Sequence, residues 1–348
     1  METSSIARFA DLYETRDRVV PAAGTDGVAV CVLHDGAGRV YLHDGLPTVR
    51  VGAGEPVAFA VERAAQALAP GATIGGLVPF TRLRDASDGS PAGIAVVATL
   101  VRAQEGAPPV DAERARAALT PFHRVLLDDA LARLGHGIGS PPLAEIESAA
   151  THVLRQRLHR AVVAPLLHPL SSRLLRDYVR SAIGDAESVV DVSCGDDALI
   201  VALAAEGRAC VANDVCLDLM RAHAREGTVH GLAYTLHNVV DLPYSAYFEA
   251  AVCKNTLHHL NADEASAMFA QLGRIASRIV VLDVLDVTAC ARARFFNAYY
   301  RRFLGDQGRG FLTLESFRER IAHGFPGREI AFTSIDTLKG RYALAHVH

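Results

Sequence analysis

The stretch that decides the fold of this 348-residue chain is Ser188–Val201, which reads Ser-Val-Val-Asp-Val-Ser-Cys-Gly-Asp-Asp-Ala-Leu-Ile-Val. An apolar run that contains Asp191 leads into a turn of small residues, Ser193-Cys194-Gly195, and then into two acids and an apolar pattern with helical spacing. This order predicts a strand, a tight turn and a helix. Such a turn brings backbone N–H groups and a helix N-terminus close to a ligand that lies over the end of the strand.

A second predicted strand, at residues 209–212, ends in Asn213-Asp214, nineteen residues after Gly195. A carboxylate at that distance from the turn is well placed to accept hydrogen bonds from the hydroxyls of a ribose. The two segments together predict a nucleoside-binding edge of a parallel sheet.

The turn and its flanks resemble the first motif of the class I S-adenosylmethionine-dependent methyltransferases, which usually reads Val-Leu-Asp-x-Gly-x-Gly-x-Gly. Ser193 and Asp197 replace the first and third glycines, whereas Gly195 retains the central one. Residues 237–244 resemble the segment of that family in which an acid and the next backbone N–H hold the adenine ring. The resemblance implies that Asn238 and the N–H of Val239 take this role, with Asp241 as the alternative holder.

Residues 248–260 resemble the run of the same family that ends in Leu-His-His-Leu, which forms the fourth strand and its exit loop. The resemblance implies that residues 253–258 lie beside the methyl group that is transferred. It covers residues 143–348 and implies a Rossmann-like α/β sheet of seven strands with the last strand antiparallel. The expected domains are a Nudix-like α+β domain at 1–135, a linker and covering helices at 136–183, and a methyltransferase domain at 184–348.

This resemblance implies S-adenosylmethionine as the cofactor, a small molecule as the acceptor, a place in specialised metabolism, and no metal. The implied cofactor-binding residues are Asp191, Ser193, Cys194, Gly195, Asp214, Val215, Asn238, Val239, Asp241 and Lys254. For Asp191 the alternative is a carboxylate that braces the turn and never touches the ligand.

The candidate catalytic residues are His258, His259 and Lys254. An imidazole titrates near neutrality, so either histidine is a candidate general base, and the alternative is that one of them only braces the loop. Lys254 is one of two lysines in the chain. Its ammonium can pair with an anionic group of the acceptor or with a nearby acid of the protein.

The candidate substrate-binding residues are Asn255, His258, Tyr299, Tyr300 and Arg301. The last three form either an aromatic, basic lid over a planar anionic acceptor or a helix with tyrosines packed inward and arginines outward.

The first third of the chain predicts a hairpin at 28–41, a helix within 52–68, a strand at 94–101, and one or two helices at 111–134. This arrangement resembles a Nudix hydrolase domain. Glu55 and Arg63 have the same spacing as a glutamate and an arginine in the sequence box of that family.

The three later glutamates of the Nudix box are replaced by Ala64, Ala67 and Leu68. A Mg²⁺ ion on a pyrophosphate needs oxygen ligands, which these side chains do not supply. We therefore expect this domain to be inactive in pyrophosphate hydrolysis. An unrelated α+β domain and a hydrolase with displaced metal ligands are the alternatives.

The composition favours a soluble cytoplasmic protein with a small-molecule partner. Its formal charge of −4 argues against a protein that coats nucleic acid, and no run of apolar residues is long enough to span a membrane. The six cysteines form no Cys-x-x-Cys pair. A homodimer is compatible with the sequence. A non-catalytic regulatory or binding protein with two degenerate enzyme folds, and chemistry on S-adenosylmethionine other than methyl transfer, remain open.

Overall fold

The computed structural model describes residues 16–20, 27–52, 55–101, 106, 108–135, 158, 169–195, 199–215, 231–244, 248–286, 291–304, 308 and 310–348. Residue contacts divide the chain into two compact units. The first unit comprises Met1–Ala144, Ala224–Thr228 and Ala233–Ala246, and the second comprises Glu145–His223, Val229–Leu232 and Tyr247–His348. The linker predicted after residue 135 lies, up to residue 168, almost entirely outside the described residues.

The first unit is built on a mixed sheet of six strands. Its strands are β1 (Arg16–Val20), β2 (Val28–His34), β3 (Val40–Tyr41), β4 (Thr48–Arg50), β5 (Thr73–Asp85) and β6 (Pro91–Val101), in the spatial order β1-β5-β6-β2-β3 with β4 also paired to β2. Its helices are α1 (Val57–Leu68), α2 (Ala112–Ala118) and α3 (Pro121–Gly135). The predicted hairpin is present, because β2 and β3 pair antiparallel.

The second unit contains most of a mixed sheet of seven strands. They are β7 (Ser188–Asp191), β8 (Ala209–Asn213), β9 (Leu232–Thr235), β10 (Phe248–Lys254), β11 (Ala276–Val284), β12 (Ile330–Thr337) and β13 (Gly340–Val347). Their spatial order is β12-β13-β11-β10-β7-β8-β9. The pairs β8–β7, β7–β10 and β10–β11 are parallel, whereas β13 is antiparallel to both β11 and β12. The predicted seven-stranded sheet with an antiparallel last strand is therefore confirmed.

Apolar runs explain why the central strands are buried. Val189 and Val190 in β7, and residues 279–282 in β11, have at most 3% of their surface exposed. Strands with side chains buried on both faces need continuous apolar runs rather than an alternating pattern. These strands consequently form the middle of the sheet.

The described helices of the second unit are α4 (Pro169–Ile183), α5 (Leu199–Ala205), α6 (Ala262–Ile275), α7 (Ala291–Tyr299) and α8 (Leu314–Gly324). A proline at the first position of α4 is favourable. Proline has no backbone N–H, and the N–H of a residue at this position would have no partner inside the helix. Thr313 caps α8 by accepting a hydrogen bond from the N–H of Ser316. Within the described ranges, no helix is long and apolar enough to cross a membrane.

The sheet order creates one edge at which several polar residues meet. The parallel strands β7, β8, β10 and β11 all end at this edge. The first of them along the chain, β7, lies between the later strands β8 and β10. In open parallel sheets, ligands bind beyond the carboxyl ends of the strands where the strand order reverses in this way.

Candidate active site

The turn after β7 is tied to both neighbouring strands. The N–H of Val192 donates to the carbonyl oxygen of Val252 (2.9 Å), and the N–H of Cys194 donates to the carbonyl oxygen of Asn213 (2.9 Å). The buried amide of Asn213 donates back to the carbonyl oxygen of Val192 at 2.8 Å. These bonds fix the path of the chain up to Gly195.

Gly195 and Asp214 meet at the end of this turn. The N–H of Gly195 donates to Oδ2 of Asp214 at 2.8 Å, and the glycine has a φ of +54°, which is in the left-handed region. A Cβ atom added to Gly195 would have no heavy atom of the described residues within 4 Å apart from its chain neighbours. A backbone face that is open next to a carboxylate fits the ribose end of a nucleoside. Val215, the next predicted cofactor residue, follows directly and is half-buried.

Asp191 and Lys254 form a buried ion pair across the paired strands β7 and β10. The Nζ atom of Lys254 lies 2.8 Å from Oδ2 of Asp191, and the two side chains are only 5% and 1% exposed. The other oxygen of Asp191 accepts a hydrogen bond from the N–H of Ser193 at 3.3 Å. Lys254 thus pairs with an acid of the protein, and Asp191 contacts the turn through Ser193. The roles of both residues toward a cofactor or acceptor stay predictions.

Ser193 connects the turn to β10. Its hydroxyl accepts a hydrogen bond from the N–H of Lys254 (3.1 Å) and donates to the carbonyl oxygen of the same residue (3.3 Å). It also lies 3.8 Å from the sulfur of Cys253. Burial raises the pKa of the Cys253 thiol to about 12, so this thiol is protonated near neutral pH and is not a nucleophile.

His258 lies in a short 3₁₀ helix, Leu257–His259, directly after β10, and it contacts Asp283 in β11. The Nδ1 atom of His258 is 2.6 Å from Oδ1 of Asp283, and the backbone N–H of His258 donates to Oδ2 at 2.9 Å. Both residues are at most 3% exposed. Sequence reasoning missed Asp283, because a single acid at the end of an apolar run carries no spacing signal that links it to a histidine 25 residues earlier.

Three rings lie together at this point. The ring of Phe311 stacks on the ring of His258, with centroids 5.0 Å apart and planes 14° apart, and the ring centroid of His259 is 4.2 Å from that of His258. The N–H of Gly310 donates to the carbonyl oxygen of His258 at 2.9 Å. The predicted residue Asn255 is exposed and has a φ of +52°, a conformation that asparagine tolerates better than most residues.

The remaining predicted substrate residues lie at the end of α7 and in the π-helix that follows it. The rings of Tyr299 and Tyr300 have centroids 5.7 Å apart, and the ammonium of Lys339 lies 5.5 Å from the ring of Tyr300. Burial raises the pKa of the Tyr299 phenol. Arg301 is exposed in a π-helix, Tyr300–Leu304. The role of these three residues in acceptor binding stays a prediction.

The predicted adenine holders form a turn of their own. The side-chain oxygen of Asn238 accepts a hydrogen bond from the N–H of Val240 at 3.2 Å, and the N–H of Asp241 donates to the carbonyl oxygen of Asn238 at 3.0 Å. Residue contacts group this segment with the first unit. The roles of Asn238, Val239 and Asp241 toward a cofactor therefore stay predictions.

In the first unit, Glu55 and Arg63 contact each other. Arg63 also donates to the carbonyl oxygen of Arg50 at 2.7 Å, and Glu55 accepts from the N–H of Gly52 at 2.8 Å. The only carboxylate of α1 is that of Glu62, which is 2% exposed. In the described part of the chain, no group of three or more histidine, cysteine, aspartate or glutamate side chains is arranged to hold a metal ion.

Comparison with known proteins found a match for the segment that contains most of the site residues of the second unit. Residues 190–279 match a family model described as a methyltransferase domain. A search of curated proteins found no significant match.

Several solved structures are similar to this chain. One is an S-adenosylmethionine-dependent methyltransferase from Methanosarcina mazei (14% identity, 49% of this chain and 96% of that chain, TM-score 0.38). Another is the magnesium protoporphyrin IX methyltransferase of Synechocystis with bound S-adenosylhomocysteine (15% identity, 62% and 93% coverage, TM-score 0.37). A third is human N-acetylserotonin methyltransferase (13% identity, 58% and 56% coverage, TM-score 0.42). At identities and TM-scores this low, these likenesses carry no inference about the chemistry of this chain.

The family match includes Asp191, Asp214, Lys254 and His258. These four site residues therefore lie within the part of the chain that is similar to a methyltransferase domain.

Proposed function

We propose that the second unit binds S-adenosylmethionine at the carboxyl edge of its sheet and transfers the methyl group to a small-molecule acceptor. The observation that carries this proposal is the contact of the Gly195 N–H with the Asp214 carboxylate (2.8 Å). It lies at the ends of two adjacent parallel strands and within the segment that matches a methyltransferase domain. A carboxylate at this position accepts hydrogen bonds from ribose hydroxyls.

Each side chain of the site has a role that its contacts support. Asp214 holds the ribose, the open face of Gly195 lets the ligand approach the backbone, and the buried Asp191–Lys254 pair fixes the turn. S-adenosylmethionine supplies the methyl group on a sulfonium, so the protein's task is to hold the two reactants in line.

Isothermal titration calorimetry with S-adenosylmethionine and S-adenosylhomocysteine tests the proposal. Wild-type protein should bind both, and Asp214→Ala should bind at least about tenfold more weakly, because about 1.4 kcal/mol of hydrogen bonding to the ribose is lost. Asp336→Ala is the matched control, since Asp336 is an exposed aspartate whose partner is Arg341. Equal affinity in wild type and Asp214→Ala, or no binding to wild type, would contradict the proposal.

We further propose that the first unit is a Nudix-like domain without hydrolase activity. Its helix α1 offers only the buried carboxylate of Glu62, and Glu55 is already engaged by Arg63 and a backbone N–H. Incubation with nucleoside diphosphate derivatives and Mg²⁺, with phosphate release as the readout, should give no product. Mg²⁺-dependent product would instead support a hydrolase with displaced metal ligands.

A further inference from the structure

Helix α7 and the turn between β12 and β13 each expose a large apolar side chain. Phe295, in α7, is 63% exposed, which is the largest exposed fraction among the large apolar side chains that the structure describes. Leu338, in the turn, is 49% exposed. Single apolar residues are normal on a protein surface, so these two carry meaning only if they belong to one surface.

Two contacts hold the helix and the turn against each other. The guanidinium of Arg292, one helical turn before the exposed phenylalanine, donates to the carbonyl oxygen of Thr337, directly before the exposed leucine, at 3.0 Å. The ammonium of Lys339, directly after that leucine, lies 5.5 Å from the centre of the ring of Tyr300. The exposed phenylalanine and leucine therefore lie on neighbouring parts of one surface.

The turn itself does not require a leucine. Its geometry is set by Thr337, whose hydroxyl accepts a hydrogen bond from the N–H of Lys339 (3.1 Å) and donates to the carbonyl oxygen of Gly340 (2.9 Å). Turns of two residues between antiparallel strands favour glycine, asparagine and aspartate. The side chain of Leu338 adds nothing to these hydrogen bonds, so the hairpin alone does not account for it.

The same surface is rich in positive charge. Residues 291–304 include four arginines and no aspartate or glutamate. Arg294, Arg301 and Arg302 are exposed, and none of them forms an ion pair with a residue that the structure describes. By contrast, the exposed Arg341 pairs with Asp336. Apolar side chains here lie among guanidinium groups that are available to an anionic partner.

This surface adjoins the candidate active site. The N–H of Leu285, directly after the carboxyl end of β11, donates to the carbonyl oxygen of Arg341 at the start of β13 (2.9 Å). The segment that follows the π-helix reaches the site as well, because the N–H of Gly310 donates to the carbonyl oxygen of His258 (2.9 Å). The turn between β12 and β13 therefore lies at the edge of the sheet at which the parallel strands end.

We propose that this docking surface, which comprises Arg294, Phe295, Arg301, Arg302 and Leu338, binds reversibly to a membrane that contains anionic lipids. The guanidinium groups contact lipid phosphates, and the phenylalanine and leucine enter the boundary between headgroups and acyl chains. Docking brings the carboxyl edge of the sheet close to the lipid. The inference goes beyond the proposed function and does not depend on it.

The observations favour a membrane over other anionic or apolar partners. A second copy of this chain in a two-fold dimer would bring two arginine-rich surfaces together, and like charges repel. A nucleic acid would contact the arginines and stack on Phe295, but Leu338 has no ring on which a base could stack. A bilayer with anionic lipids uses the positive charge and both apolar side chains.

Tryptophan fluorescence tests the docking directly. The chain contains no tryptophan, so Phe295→Trp supplies a single reporter in the full-length protein. Its emission should shift to the blue with vesicles of equal parts phosphatidylcholine and phosphatidylglycerol, and should not change with phosphatidylcholine alone. The shift should diminish as the salt concentration rises, because salt screens the arginines. Val125→Trp, at an exposed apolar residue of the first unit, is the matched control and should not respond.

Sedimentation with the same vesicles measures the affinity of variants. Arg301→Gln should weaken binding about fivefold, the contribution of one basic side chain at an anionic surface. Phe295→Ser should weaken binding at least about tenfold, because the ring no longer enters the lipid. Arg114→Gln and Val125→Ser, at exposed residues of the first unit, should bind like wild type. Circular dichroism verifies that each variant is folded.

Three results would overturn the inference. The first is wild type that does not sediment with anionic vesicles, and the second is full binding by Phe295→Ser, since charge alone would then explain it. The third is a response of the Phe295→Trp reporter to another partner in place of vesicles: rising protein concentration would indicate a second copy, and a single-stranded oligonucleotide would indicate a nucleic acid. All measurements omit the cofactor, so failure to bind S-adenosylmethionine contradicts only the proposed function.

Discussion

Gly195 shows how one residue can serve both the fold and the site. Its φ of +54° strains any residue with a side chain, and its open face is where a ligand would approach. We predict that Gly195→Ala lowers the free energy of unfolding by about 1 kcal/mol and weakens binding of S-adenosylmethionine at least about tenfold. Urea denaturation and calorimetry measure the two effects.

Gly207→Ala is the matched control for this prediction. Gly207 also has a positive φ (+95°) and no heavy atom of the described residues near an added Cβ, but it lies in the turn between α5 and β8. Gly207→Ala should lower the free energy of unfolding by a comparable amount and leave the affinity for S-adenosylmethionine unchanged. Equal loss of affinity in both variants would show that backbone strain alone, and not the position over the site, weakens binding.

The Asp191–Lys254 pair gives a second prediction at this scale. Removal of one partner leaves the other charge buried, so Lys254→Met should lower the free energy of unfolding by about 3–5 kcal/mol. The double variant Asp191→Asn/Lys254→Met should recover part of that loss, because no unpaired charge remains. Urea denaturation provides the measurement. Arg341→Met, at an exposed pair with Asp336, should leave the stability close to that of wild type, because solvent screens exposed ion pairs.

The sequence alone could place several residues at the site but could not specify their partners. Asp214 was predictable from its distance to the glycine turn, and its contact with Gly195 agrees with that position. The pair of His258 with Asp283 was not predictable, because it depends on β10 and β11 being neighbours in the correct register. The direction of the Lys254 side chain depends on β7 pairing with β10 in the same way.

At the scale of the element, helix α6 begins with a capping box. The side chain of Asn261 accepts from the N–H of Glu264 (3.0 Å), and the carboxylate of Glu264 accepts from the N–H of Asn261 (2.8 Å). We predict that Asn261→Ala lowers the free energy of unfolding by about 1 kcal/mol, because the N–H of Glu264 loses its acceptor. Asn261→Asp, which keeps an acceptor oxygen, should lie close to wild type in the same denaturation experiment. A loss as large in Asn261→Asp would exclude capping as the cause.

Strand β5 marks the limit of pattern-based prediction for elements. Apolar runs predicted β7 and β8, whereas β5 contains Gly75, Gly76 and Pro79, which normally indicate turns. The structure accommodates these residues through shifts in the register with β6, between Ile74 and Gly76 and between Pro79 and Thr81. Glycine and proline in strands are typical of such irregularities, and only the pairing with β6 reveals them.

For the molecule as a whole, buried histidines predict how stability changes with pH. Burial lowers the pKa of His237 from 6.5 to about 3, so this side chain is neutral in the folded protein where the unfolded chain already binds a proton. The unfolded state therefore gains protons as pH falls from about 6.5 towards 3, and stability decreases over that window. At pH 5 this single group should reduce the free energy of unfolding by about 2 kcal/mol relative to pH 8.

Urea denaturation of His237→Gln at both pH values checks this prediction. The variant should show a smaller loss of stability between pH 8 and pH 5 than wild type, whatever its stability at pH 8. His323→Gln, at an exposed histidine, should retain the full wild-type loss. A wild-type pH dependence in His237→Gln would assign the effect to other groups.

The antiparallel placement of β13 beside β11 has a consequence for synthesis in the cell. A nascent chain on the ribosome that has emerged through Asp283 already contains Asp191, Asp214, Lys254 and His258, yet the outer edge of β11 still lacks the strand that covers it. Uncovered strand edges pair readily with other chains. Aggregation during translation, and any need for chaperones, should therefore be greatest in the interval before residues 340–347 leave the exit tunnel.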